Sequence, residues 1–107
     1  MAGTERHLVI NEIAQEDYLD ILKQSARQWG RDQAAQYKGA LDASMERLLE
    51  FPELGQSVAN LFDGGHRLRV RHHNIYYTFN DHAVIVHRIL HERRHVTPEM
   101  LLPESDE

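Results

Sequence analysis

The chain has 107 residues, no cysteine, and 12 Lys and Arg against 17 Asp and Glu, a formal net charge of -5 with all eight histidines neutral. That length suits one domain, 1–107, with a modest core, and the missing cysteine excludes disulfide frameworks, thiolate metal sites and cysteine nucleophiles together. No apolar run approaches the ~18–20 residues of a bilayer-spanning helix, and the N-terminus lacks a charged-then-apolar leader pattern, so a cytoplasmic domain without a membrane partner is expected.

His7-Leu8-Val9-Ile10 is short and rich in branched apolar residues, which predicts a strand. Asn11 follows, with a side-chain oxygen suited to capping the free N–H groups of a helix start. Ala14, Tyr18, Ile21, Leu22, Ser25 and Trp29 then recur at helical spacing, with Glu16, Asp17, Asp20 and Lys23 between them. Gly30 ends this helix, because glycine takes the left-handed backbone that helix ends often need. Trp29 is expected to anchor the core or the hairpin beside it. Asp32 starts a second helix with the stripe Ala34, Tyr37, Leu41, Met45 or Ser44, and Leu48, running to about Phe51 before Pro52. Two amphipathic helices joined this tightly form an antiparallel hairpin.

Residues 52–65 carry Pro and Gly punctuation without a period, which predicts a loop with one helical turn around Val58 to Leu61. From His66 the period changes from 3.6 to 2. Leu68 and Val70 alternate with Arg67, Arg69 and Arg71, giving a strand with an arginine face spaced ~6.6 Å apart. Ile75, Tyr77 and Phe79 alternate with Tyr76 and Thr78 in the next strand, and Asn80-Asp81-His82 has turn composition. Ala83 to Leu90 is nearly continuous apolar, as expected for a central strand covered on both faces. The termini, 1–6 and 97–107, are expected to be flexible. The fold class is therefore α+β, in the order β-α-α-β-β-β. A helix hairpin packs on one face of a three- to four-stranded, mainly antiparallel sheet, and the first strand pairs with a later one.

Charge is segregated along the chain. Residues 1–65 carry six basic and eleven acidic side chains, whereas residues 66–95 carry six arginines against only Asp81 and Glu92, together with seven of the eight histidines. Such a block is either a surface for an anionic partner or a strand face whose charge meets the protein's own acids, Asp17, Asp20 or Glu50 among them. Overall acidity argues against a general or sequence-specific nucleic-acid binder.

The histidines do not make a metal site by spacing. His87 and His91 fall ~13 Å apart on a strand at ~3.3 Å per residue, too far for two zinc bonds of ~2.0–2.1 Å. No metal or cofactor is expected. His91 with Arg88, Arg93 and Arg94 is chemically capable of proton transfer and phosphate stabilisation, as in RNA cleavage through a 2′-hydroxyl. That chemistry also needs an acid, which Tyr76 or Tyr77 supplies only if the sheet brings one close. Otherwise Tyr77 belongs to the core and the arginines pair with Glu92 or the acidic tail.

The order of these motifs resembles the RelE/ParE toxin superfamily, and its ParE branch most closely, over roughly residues 8–96. The matching residues are Ala14, Asp17 and Ile21, then Trp29-Gly30, then Ala34, Tyr37 and Leu41, then Pro52 and Gly55. The more specific part is Arg67 to Val70, Ile75 to Tyr77, and Ile85 to Arg94, an apolar strand closed by a histidine and two arginines. Glu92 stands where the family usually has glycine and His95 where aspartate is common. The resemblance implies a toxin encoded beside an antitoxin and held inactive in a hetero-oligomer with it. The antitoxin expected is a ParD-like DNA-binding dimer whose acidic, apolar segment wraps the toxin. ParE-type toxins inhibit DNA gyrase by binding, which implies no catalytic residue here. The implied target or antitoxin contacts are Arg67, Arg69, Arg71, Arg88, Arg93 and Arg94. The alternative is a RelE-like, ribosome-dependent mRNA endoribonuclease, for which His91 and Arg88 are the catalytic candidates.

Overall fold

A computed structural model describes residues 5–102. Strand β1 (His7–Ile10) leads into helices α1 (Glu12–Trp29) and α2 (Arg31–Glu50), then a 3₁₀ turn at Pro52–Leu54. Strands β2 (Gln56–Ser57), β3 (His66–Val70), β4 (His73–Phe79) and β5 (Ala83–His91) follow, and a short helix α3 (Pro98–Leu101) ends the described chain. The sheet has five strands in the order β1-β5-β4-β3-β2. β1 runs parallel to β5, and every other pair is antiparallel. The fifth strand is β2, which lies inside the segment expected to be a loop. It is two residues long, too short for a period to register.

The helix hairpin turns on Gly30, whose φ of 89° lies in the glycine-favoured region. Its apolar stripes cover one sheet face. Ala14, Ile21, Leu41, Met45 and Leu48 pack on Val70, Ile75, Tyr77, Val84, Val86 and Ile89. Asn11 occupies the cap position of α1, yet its side chain makes no capping bond. Gln15 instead turns back, its Nε2 donating to the Ile10 carbonyl at 2.8 Å.

The opposite sheet face carries a second, smaller cluster of Val58, Phe62, Tyr76, Leu90 and Leu101. The turn at Val58, whose carbonyl accepts from the N–H groups of Leu61 and Phe62, and helix α3 both fold onto it. Helix α3 is thus part of the packed structure, with Leu101 buried. The rest of both termini expected to be flexible, 1–4 and 103–107, lies outside the described residues. Arg6 is held as well, its Nε donating to the Asn80 carbonyl at 2.8 Å.

One irregularity explains the unbroken apolar run of β5. Tyr77 pairs with Val86 and Tyr76 with Arg88, so His87 is an extra residue. The bulge shifts the alternation by one position. Val84 and Val86 face the helices before it and Ile89 does so after it, while Leu90 joins the second cluster. A strand that serves both cores in this way has few positions left for polar residues. Among the described residues, no helix is long and apolar enough to cross a membrane.

Candidate functional site: a basic groove and the end of the sheet

Directly opposed residues of neighbouring strands share a face. Arg67 opposes Tyr76 and Arg69 opposes Asn74, so both arginines lie on the face away from the helices. There the second cluster stops short and leaves an open groove of about 740 Å³. Its lining includes Leu54, Gln56, Arg67, Arg69, Asn74 and Arg93, with Glu92 at one end. Asn74 is only 8% exposed, a buried amide in a basic floor.

Side-chain partners decide which charges remain free. Arg67 donates only to a neutral amide, its Nη2 reaching Gln56 Oε1 at 2.9 Å. Arg69 donates from Nε to the Arg71 carbonyl at 2.7 Å and from Nη2 to Glu92. Glu92 also takes His72 Nδ1 at 3.1 Å, and this bond, followed by Arg69, holds the carboxyl below the usual range. None of the β3 arginines meets the helical acids proposed as partners. Among the described residues Arg67, Arg71, Arg93 and Arg94 enter no ion pair at all. The groove is therefore a net cationic surface exposed to solvent.

The structure separates three residues from the positions expected of them. Arg71 does not extend the β3 ladder. The strand ends at Val70, and Arg71 turns with a φ of 56°, placing its guanidinium 5.6 Å from the centre of the Tyr37 ring. Arg88 is enclosed by α1. Its Nε and Nη2 donate to the Asp17 carboxylate at 2.8 and 3.1 Å, and the side chains are only 12% and 14% exposed. The same carboxylate accepts the Ile89 N–H at 3.0 Å, where β1 has ended and the β5 edge is otherwise open. Trp29 is not a core anchor. It is 69% exposed at the end of α1.

His91 lies at the end of β5, opposite His73 of β4, with ring centres 5.2 Å apart. Its Nδ1 accepts the Arg93 N–H at 3.1 Å. Neither Tyr76 nor Tyr77 comes to it. Tyr76 sits in the second cluster, and the buried Tyr77 hydroxyl donates to the Pro52 carbonyl at 2.7 Å and accepts the Gly55 N–H at 3.0 Å. The tyrosine beside the histidines is Tyr37. Its hydroxyl accepts the His72 N–H at 3.1 Å and lies 2.6 Å from His73 Nδ1. Tyr37 thus bridges the His72 backbone and the His73 ring, and the direction of its bond to His73 follows the tautomer of that ring. Burial, then the nearby His91 and His72, lowers His73 to about 4, so this ring is neutral at pH 7.

The sequence places Tyr37 on the core stripe of α2 and offers Asp17 as a partner for the β3 arginines, whereas Asp17 pairs with Arg88 of β5. A signal existed for Asp17, since Ala14, Asp17 and Ile21 share one helical stripe. A carboxylate on a buried stripe calls for a cationic partner.

The chain matches known proteins along most of its length. Residues 8–96 match the family described as ParE toxin of type II toxin-antitoxin system, parDE. A curated relative, Toxin ParE1 of Caulobacter vibrioides, is 35% identical over 79 residues, covering 74% of this chain and 81% of the relative. A solved structure described as a chromosomal ParDE TA system from P. aeruginosa superposes with a TM-score of 0.71 at 13% identity, covering 83% of this chain and 98% of that chain. The latter speaks to the fold, and the strand, helix hairpin and sheet described above are the same α+β arrangement. The family match and the relative together place this chain in the ParE toxin family of type II toxin-antitoxin systems.

Proposed function

We propose that the chain is neutralised in a complex by a cognate ParD-like antitoxin and acts, when released, by binding DNA gyrase in the cytoplasm. The names of the relatives pair a ParE toxin with a ParD partner, and gyrase is the target that the family resemblance implies. The observation that carries the binding part is the groove of β3. Arg67 and Arg93 lack acidic partners among the described residues, and Leu54 offers an apolar wall beside them. An acidic segment with apolar side chains complements that surface in both respects. A binding mode rather than RNA cleavage is supported by Arg88, which is committed to Asp17 instead of facing a phosphate beside His91.

The test is a purified-component gyrase assay that scores supercoiling and cleaved DNA with the chain alone and with antitoxin added. Inhibition with accumulated cleaved DNA, relieved by antitoxin, is the expected result. His91→Ala should leave that inhibition intact. No effect of the wild-type chain at high concentration, with loss of growth inhibition in His91→Ala, would replace this function with ribosome-dependent mRNA cleavage.

A further inference from the structure

Trp29 is the largest exposed apolar side chain among the described residues, and it belongs to neither hydrophobic cluster. An indole held at 69% exposure by a helix end is poorly explained as packing, since it leaves most of its apolar area in water. It borders a second cleft of about 300 Å³, on the helix side of the sheet, lined also by Tyr37, His72, His73, His91 and Arg93. Rings supply part of its wall, and Ile21, Gln24, Ser25 and Gln28 of α1 supply another part. Tyr37 and His73 meet edge to face at 5.5 Å between centres, and His73 and His91 do so at 5.2 Å. Hydrogen bonds fix these rings in place, through the Tyr37 hydroxyl on one side and the Arg93 N–H on the other. A pocket of this size partly walled by rings, beside an exposed Trp and cationic Arg71 and Arg93, has the makeup of an interaction hot spot.

The cleft is continuous with the basic groove. Glu92 and Arg93 line both, so they form the ridge between them. We propose that the antitoxin's acidic segment lies along the groove over Arg67 and Arg69, crosses the ridge at Arg93, and seats one bulky apolar side chain against Trp29 in the ring-lined cleft. This rests on the antitoxin-bound function above and adds the order of chemistry along the partner, acids first and an apolar anchor at the end. Charge favours this occupant, because Glu92 is the one carboxylate in either lining and is already paired with Arg69 and His72.

Trp29 is the only tryptophan in the chain, so its emission reports the cleft directly. The cognate antitoxin, with any tryptophan of its own replaced by phenylalanine, is titrated into the full chain. The expected result is a saturable blue shift as the indole leaves water, and a dissociation constant ~30-fold higher for Trp29→Ala. Trp29→Ala should melt like the wild type, because the side chain is mostly exposed. Arg93→Ala should weaken binding in the same direction. A complex that forms with no change in emission, and with Trp29→Ala within twofold of wild type, overturns the inference and leaves the antitoxin-bound function standing. Antitoxin binding retained in Trp29→Ala with growth inhibition lost overturns it differently, by giving the cleft to the target. No complex between the wild-type chain and antitoxin overturns both.

Discussion

Removing the Asp17 carboxylate should cost this protein a large part of its stability. Asp17 accepts three hydrogen bonds, two from the Arg88 guanidinium and one from the Ile89 N–H. In Asp17→Ala, a guanidinium only 12% exposed loses its countercharge, and the β5 edge loses its acceptor. Breaking a buried pair on one side costs about 3–5 kcal/mol. A domain of this kind has about 5–15 kcal/mol in total, and 3 kcal/mol lowers its melting temperature by roughly 12 °C or more. Urea unfolding followed by circular dichroism measures this as a lower midpoint with an unchanged slope. The double variant Asp17→Leu/Arg88→Met removes both charges and leaves only the Ile89 N–H unpaired, so it should cost about 1–3 kcal/mol, less than Asp17→Ala alone. If Asp17→Ala shifts stability by under about 1 kcal/mol, or if the double variant is worse than either single one, the ion pair does not hold β5 to α1 and the argument fails.

Three further outcomes are expected. His73 is lowered from 6.5 to about 4 by burial and its histidine neighbours. The unfolded chain therefore takes up a proton that the folded one refuses, and stability is complete above pH 6.5 and falls as pH drops toward 4. The full gap is worth about 3 kcal/mol, and screening at this partly open side chain reduces it to about 1–2 kcal/mol. Urea midpoints at pH 7 and pH 5 should differ less in His73→Gln than in wild type, and equal differences would assign the acid sensitivity to other groups. In Gly55→Ala the new methyl would lie 2.6 Å from Tyr77 Oη and 2.8 Å from the Arg67 carbonyl, so a loss of about 1–3 kcal/mol is expected in thermal melts. A neutral result would show that the turn relaxes freely. Leu101→Ala should cost about 2–4 kcal/mol by urea titration, and a cost below about 0.5 kcal/mol would mean that α3 does not pack on the second cluster.

Most of the fold was legible because its cores follow regular periods. The stripe of Leu41, Met45 and Leu48 and the alternation of Ile75 and Tyr77 each point to one buried face, and both lie in the main core. What escaped was set by irregularity. A single inserted residue at His87 reassigns every side chain after it to the other face, and periodicity cannot see an insertion of one. Arg71 continues the alternation in sequence, yet the tight β3–β4 turn takes it into the left-handed region and out of the ladder. Trp29 belongs to the helical period of α1 but falls on its last residue, outside both buried clusters, so the stripe continues where the core does not. For the candidate site, the arginine-rich block marked the groove, while Tyr37 and Asp17 depended on contacts across 35 to 72 residues of sequence.

The parallel pairing of β1 with β5 has a consequence for when this molecule comes into being. Leu8 and Ile10 find their partners at Val84 and Val86, on the far side of both helices and three strands in sequence. The helix hairpin can form as soon as it is made, but β1 stays without a neighbour until β5 emerges. β5 is also the neighbour of β4 and, through Arg88 and Ile89, the attachment of α1. A nascent chain interrupted before residue 83 thus lacks the strand that joins its first element to the rest of its sheet. Synthesis of residues 83–91 is the step that joins β1 and α1 to strands β2 to β4, so a chain stopped short of β5 holds the helix hairpin and the β2–β4 strands without the element that unites them.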